Sequence, residues 1–203
     1  GNIDHLLKYT FIIAPELPNL PGLDFDGFEA TFYTELDSTY KFPEITNEQL
    51  LIKVQEQTFK YFWDFAHPES GLIRERNTSG NLVTIGGSGF GVMTIFVGIE
   101  RGFIPRQQGV NRLAKIVDFL AQADRFHGVW PHWMNGTTGE VIPFSANDDG
   151  GDIVETAFMI QGLLTARQYL DETDATENTI IDKINQLWEA VEWDWYTQGE
   201  DVI

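Results

Sequence analysis

The residues best suited to chemistry are carboxylates at the mouth of an apolar segment. Asp148-Asp149-Gly150-Gly151-Asp152-Ile153-Val154-Glu155 sets four acids within eight residues, just before Thr156-Ala157-Phe158-Met159. Asp152 and Glu155 are three apart, so on a helix starting there they share one face. Carboxylates in a cleft are costly unless something pairs with them or uses them. Glycosidic hydrolysis commonly takes two carboxyl groups, one giving a proton and one activating water or attacking. Residues three apart on a helix stand about 5–6 Å apart at Cβ, less than the roughly 6.5–9.5 Å of an inverting pair. Asp152 and Glu155 are therefore expected to hold sugar hydroxyls, or for one of them to work with a carboxylate elsewhere. Glu140, Asp148 and Asp149 are the local candidates. A structural reading stands beside this one. Asp-x-x-Glu at a helix start is a capping box, and the helix dipole favours acids there. A calcium loop would need acids at alternate positions and a later Glu, which this spacing does not meet.

The aromatic run His127-Gly128-Val129-Trp130-Pro131-His132-Trp133-Met134 is placed to wall the same cleft. Trp130, His132, Trp133 and Phe144 are suited to stacking on rings and donating to hydroxyls; packing in the core is the alternative. The candidate ligand contacts are Trp130, His132, Trp133, Asp149, Phe90 and Arg74. Arg74, with Glu75 and Arg76, lies in a loop whose other reading is simple solvation. Gly86-Gly87-Ser88-Gly89-Phe90-Gly91 lacks the lysine and spacing of a phosphate loop. Its glycines suit close approach to a ligand or to a neighbouring helix. No cofactor or metal set is expected.

The elements that must position these groups are helices. Thr46 to about Ala66 carries N-cap chemistry and a stripe of Leu51, Val54, Thr58, Phe62 and Phe65. Residues 71–89 read as loop. Phe90 to Ile99 is apolar all round and ends at Gly102. Pro105 opens the next helix, striped by Val110, Leu113, Ala114, Val117, Leu120 and Ala121. Residues 126–147 read as loop, with turns at Asn135-Gly136 and Thr138-Gly139. Ile153 to Tyr169 is again apolar all round. After Asp174 the stripe is Ile180, Ile184, Leu187, Trp188, Val191 and Trp195, with 188 and 195 taken as packing. One-sided helices face water and all-round helices are buried, so their alternation predicts two concentric layers. The fold class expected is all-α, part of an (α/α)6 toroid. Five helices would leave an open apolar edge, closed by further chain, by another copy, or not at all. Residues 1–45 differ. Prolines 15, 18, 21 and 43 break helices, while Tyr9–Ile13 and the alternating Phe28–Leu36 suggest strands. This part is expected to be an N-terminal extension with some β-structure, and 46–203 the toroid portion.

Bulk composition narrows the partners. With 31 acids against 13 bases, a net charge of −18 repels nucleic acid and anionic membrane and suits a neutral or cationic ligand. Aromatics make up 13% of the chain, which fits a large core or a ring-lined cleft. The absence of cysteine removes disulfides and thiol chemistry, and no apolar run is long enough to span a bilayer. Gly1-Asn2-Ile3-Asp4 does not read as a signal peptide. A periplasmic or extracellular site is expected, with the leader outside this sequence.

Four motifs in order then resemble the glucoamylase-like domain family of bacteria. They are Gly89-Phe90-Gly91 with Val97-Gly98-Ile99-Glu100-Arg101-Gly102-Phe103 and Arg106; His127–Trp133 with Thr138-Gly139; Asp152–Ala157 with Gly162–Tyr169; and Trp188, Val191 and Trp193-Asp194-Trp195. The resemblance covers about residues 46–196. It implies an (α/α)6 toroid with about twice the helices seen here. It also implies Asp152 and Glu155 in the sugar cleft with importance for activity, and a general acid and base largely in the other half. It favours β-1,2-glucan over starch as substrate. Two other readings remain: a non-catalytic glycan-binding domain using the aromatic loop 127–134, and a toroid epimerase or lyase, for which four histidines offer few bases.

Overall fold

The computed structural model describes residues 4, 6–15, 25–36 and 38–200. Pro18, Pro21 and the Gly1–Ile3 start lie outside the described residues. The chain divides into two compact units, Gly1–Thr46 and Asn47–Ile203.

In the first unit, β1 (Lys8–Ile13) pairs antiparallel with β2 (Phe28–Tyr33). The register puts Tyr9, Phe11 and Ile13 opposite Phe32, Ala30 and Phe28. Side chains alternate between faces of a strand, so these six apolar residues share one face. Tyr9 stacks on Phe32 at 5.7 Å between ring centroids. The other face carries the Thr10–Thr31 hydroxyl pair.

The second unit holds the helices α1 (Asn47–Asp64), α2 (Ile85–Glu100), α3 (Arg106–Leu120), α4 (Ile153–Tyr169), α5 (Ala175–Glu189) and the short α6 (Trp193–Tyr196). A three-stranded antiparallel sheet, β3 (Leu82–Thr84), β4 (Trp133–Asn135) and β5 (Val141–Ile142), lies between them in sequence. All-α is therefore too narrow a class. The protein is helix-rich with two small sheets. Residues 126–147 read as plain loop in the sequence because strands of two or three residues are too short to show a period. The two turns expected there are the reversal joining β4 to β5, closed by Gly139 N–H donating to the Asn135 carbonyl at 2.8 Å.

The helices interleave as two layers. α2 packs on α4 and α3 on α5, while α2–α3 and α4–α5 contacts join the layers. The core lies between, with Leu72, Ile85, Leu113, Leu120, Trp130, Met134, Met159, Leu163 and Ile184 fully buried.

The glycine cluster is the main departure from expectation. It lies inside α2 and not in a loop. A Cβ on Gly89 would come within 2.3 Å of the Phe158 carbonyl oxygen, and one on Gly162 within 2.4 Å of the Gly89 oxygen. The α2 and α4 backbones touch there, which only glycine permits.

The two all-round apolar helices are not buried on all sides. Phe90 and Val97 on α2, and Val154 and Phe158 on α4, are exposed. Among the described residues nothing covers those faces. On α1 only Phe59 is buried, while Leu51 and Val54 of the expected stripe face outward. Trp188 and Trp195 are each about two-fifths exposed and do not pack as expected. Trp188 lies beneath the Arg167 guanidinium, and Trp195 stacks on His127 at 3.9 Å.

Candidate functional site

The acidic loop ends at the N-terminus of α4, and the Asp152 carboxylate caps it. Asp152 Oδ1 accepts from Val154 N–H at 2.9 Å and Glu155 N–H at 3.0 Å. Half of the capping-box reading is thus correct. The other half is not, because Glu155 does not turn back to the Asp152 N–H, which donates to the Trp130 carbonyl at 2.8 Å.

Glu155 instead reaches across to α2. Thr84 occupies the N-cap position of α2 but makes no side-chain cap bond of its own. Glu155 Oε2 accepts from Gly86 N–H at 2.7 Å and from the Thr84 hydroxyl at 3.0 Å. One helix therefore supplies the cap of its neighbour, and a carboxylate at a helix N-terminus is well placed in the dipole field. A Cβ on Gly86 would lie 2.7 Å from that same oxygen. Glu155 Oε1 makes no hydrogen bond among the described residues and is the free edge of the group.

The same motif recurs at α5, where Asp174 caps and Glu177 crosses over. There the partner is a cation. Arg106 Nε and Nη2 donate to Glu177 Oε1 and Oε2 at 2.9 and 2.6 Å. The Arg106 guanidinium holds the Glu177 carboxyl below its ordinary range. Among the described residues no cation pairs with Glu155, so the two acids have different local chemistry despite identical spacing.

Asp152 Oδ2 has a second role. His132 Nδ1 lies 2.9 Å from it, which orients the imidazole and leaves Nε2 to face elsewhere. His132 packs on Phe144 with ring centroids 4.6 Å apart. Trp133 packs on the same Phe144 ring, also at 4.6 Å. Cross-strand pairing aligns Trp133 with Thr84 and Ile142, and its indole N–H donates to Glu75 Oε2 at 3.1 Å. The wall of His132, Trp133 and Phe144 is thus tied through Thr84 and Asp152 to both helix N-termini.

Several expected contacts fall elsewhere. Trp130 is fully buried, and its indole N–H donates to the Leu120 carbonyl at 3.2 Å. A ring without exposed surface cannot stack on a ligand, so Trp130 is core. Arg74 is also structural, because its guanidinium donates to the Phe65, Ala66 and Gly80 carbonyls and closes the 66–80 loop. Phe90 is half exposed against Phe158 on the open face of α2 and α4. Asp149 lines a separate cavity with Asp124 and Phe126. Glu140 accepts from the Thr138 hydroxyl within its own turn. Glu75, Thr84 and Gly86 were missed as site residues. Glu75 carried no signal beyond a charge between two arginines, and Thr84 and Gly86 read as loop. Among the described residues no group of three or more potential metal ligands occurs.

No family model matches the chain. It is 51% identical over 159 residues to an exo β-1,2-glucooligosaccharide sophorohydrolase (non-reducing end) of Parabacteroides distasonis, covering 77% of this chain and 22% of that protein. The crystal structure of an endo-β-1,2-glucanase from Chitinophaga pinensis, in complex with sophorotriose and glucose, matches with a TM-score of 0.76 and 52% identity. It covers 79% of this chain and 40% of the other. A β-1,2-glucanase structure from Parabacteroides distasonis matches with a TM-score of 0.73 and 46% identity, covering 88% of this chain and 25% of that one. The chain is a homologue of these glucoamylase-like proteins. The resemblance drawn from the four motifs is thereby borne out. The homologous region spans under half of each glucoamylase-like relative, 22% of the curated one.

Proposed function

We propose that this chain is the N-terminal portion of an (α/α)6-toroid glycoside hydrolase acting on β-1,2-linked glucan. The observation that carries the reading is identity of about half, over more than three quarters of the chain, to proteins named for that polymer. The interleaved packing of α2 on α4 and α3 on α5 supports a two-layer ring whose remaining helices come from further chain. On this reading, the N-termini of α2 and α4 open on the substrate cleft. Glu155 Oε1 and His132 Nε2 bind sugar hydroxyls, and the Trp133–Phe144 wall stacks on sugar faces. Asp152 orients His132 and caps α4. Asp152 has both oxygens engaged and Glu155 has one oxygen free, so these two acids do not make a complete hydrolytic pair, and at least one of the general acid and base comes from the rest of the ring. The protein works in the periplasm or outside the cell, where glucans are met.

The test is a hydrolysis panel of β-1,2-glucan, starch and β-1,3- and β-1,4-glucans on the protein containing this chain, with products resolved by size. Release from β-1,2-glucan alone is the expected result. Release only from starch or the other glucans overturns the substrate class. A second reading, binding without cleavage through the aromatic loop, is favoured by one observation: both oxygens of Asp152 are already engaged. It requires saturable glucan binding with no product, lost in Trp133→Ala.

A further inference from the structure

The extended segment 129–133 has two sides. Trp130 is buried in the core and His132 meets Asp152, whereas Pro131 and the buried Val129 border a cavity. The segment pairs with the acidic loop through an antiparallel bridge between Pro131 and Gly151. Along the acidic loop Asp149, Gly150 and Gly151 line the cavity, whereas Asp152 turns to His132. The volume open to a ligand there is about 200 Å³, below the range typical of drug-sized sites.

Its lining combines an apolar floor with polar edges. Phe126 supplies the exposed floor, with the buried Pro131 beside it, and Asp124, Asp149 and Arg125 the edges. Phe126 is half exposed, and Trp195 stands edge-on to it at 5.3 Å. Tyr196 donates its hydroxyl to the Phe126 carbonyl at 2.5 Å, anchoring α6 beside the cavity. Asp124 Oδ2 accepts from Val141 N–H at 3.1 Å, while its other oxygen and the Asp149 carboxylate make no hydrogen bond among the described residues. Arg125 forms no ion pair among the described residues; its guanidinium lies over the Trp130 ring, 5.7 Å from the centroid. A flat apolar surface flanked by acceptors and one forked donor suits a neutral polyhydroxylated ring. The two acids disfavour an anion, and the apolar floor disfavours a bare cation.

We propose that this cavity is a second saccharide site, holding one glucosyl unit on Phe126 behind the Trp133 wall. Phe126 takes the apolar face of the ring. Asp124 and Asp149 accept from its hydroxyls, and Arg125 donates to its oxygens. This rests on the glucan reading, and it adds a foothold for chain lying outside the cleft.

The experiment is a titration of the 15N-labelled protein containing this chain with sophorotriose, followed in 1H–15N spectra. The indole N–H of Trp133 reports the cleft; the indole N–H of Trp195 and the Arg125 Nε–H report the cavity. Both sets are expected to shift along separate saturation curves. Phe126→Ala and Asp149→Asn should each weaken the second curve at least tenfold and leave the Trp133 shift in place. Asp149 is exposed and packs nothing, so its variant tests the site without risk to the fold. If Trp133 responds while Trp195 and Arg125 do not, the second site is overturned and the glucan reading stands. A Trp195 and Arg125 response unchanged in both variants also overturns it. Silence at all three signals refutes the glucan reading and this site with it.

Discussion

Replacing Gly86 by alanine sets two opposing effects against each other. In an ordinary helix the change is favourable by about 1 kcal/mol, because alanine restricts the unfolded backbone and has the higher propensity. Here the new Cβ would lie 2.7–2.9 Å from the Glu155 carboxylate atoms. The carboxylate is the far end of a flexible side chain and moves aside, but doing so stretches its 2.7 Å bond from Gly86 N–H. A hydrogen bond to a charged group is worth about 1.5–3 kcal/mol, so the cap wins. The expected net loss is about 0.5–2 kcal/mol. At about 2–4 °C per kcal/mol for a chain of this size, Tm falls by about 1–8 °C. The control is the same change in a Glu155→Ala background, where no carboxylate opposes it. There Gly86→Ala should raise Tm by about 2–4 °C, from the propensity gain alone. The assay is thermal unfolding of the four proteins of a double-mutant cycle. A rise in Tm for Gly86→Ala in the parent protein would refute the trans-cap. Equal effects in the two backgrounds would refute it as well.

Other outcomes follow from the same structure. Gly89→Ala drives a methyl into the Phe158 backbone, and should cost about 1–3 kcal/mol or more in denaturant unfolding. Trp130→Phe leaves the Leu120 carbonyl without its donor, at about 1–3 kcal/mol; sophorotriose binding should survive, and its loss would return Trp130 to the site. Glu177 is depressed by its bond to Arg106, so its contribution is present above the unfolded value near 4.5 and is lost as pH falls through the lower folded one. Stability measured from neutral pH down through that window should fall less steeply in Glu177→Gln than in the parent. Trp133→Ala should abolish the cleft component of sophorotriose binding and leave the component at the Phe126 cavity, while Tm changes modestly, as read by calorimetry of both binding and unfolding.

The parts of the fold that repeat were readable in the chain. The stripes of α3 and α5 lie on their buried faces, α1 is a helix whose stripe faces outward, and Asp152 and Asp174 sit where N-cap chemistry places them. What escaped was set by contacts between distant segments. Gly86 and Gly89 looked like loop punctuation because glycine disfavours helix; only the approach of α4 explains them. The acids at 152 and 155 were recognised as a unit, yet nothing local says that Glu155 bonds to a helix 69 residues earlier. Trp130 and Trp133 are three apart in one aromatic run, and one is core while the other is wall. That division comes from the β3–β4 pairing, which is invisible in a strand of three residues.

The Gly89–Gly162 contact sets a limit on how this scaffold can vary. Where two helices meet through side chains, a larger or smaller residue adjusts their spacing. Here main chain rests on main chain, so the gap is already at its minimum and no substitution can narrow it. Every side chain larger than hydrogen can only wedge it open. A relative adapting to a ligand of different girth therefore has no tuning position at this crossing. Such change falls to the segments that lead into the helices, where Glu75, Trp133, Phe144 and Asp149 lie.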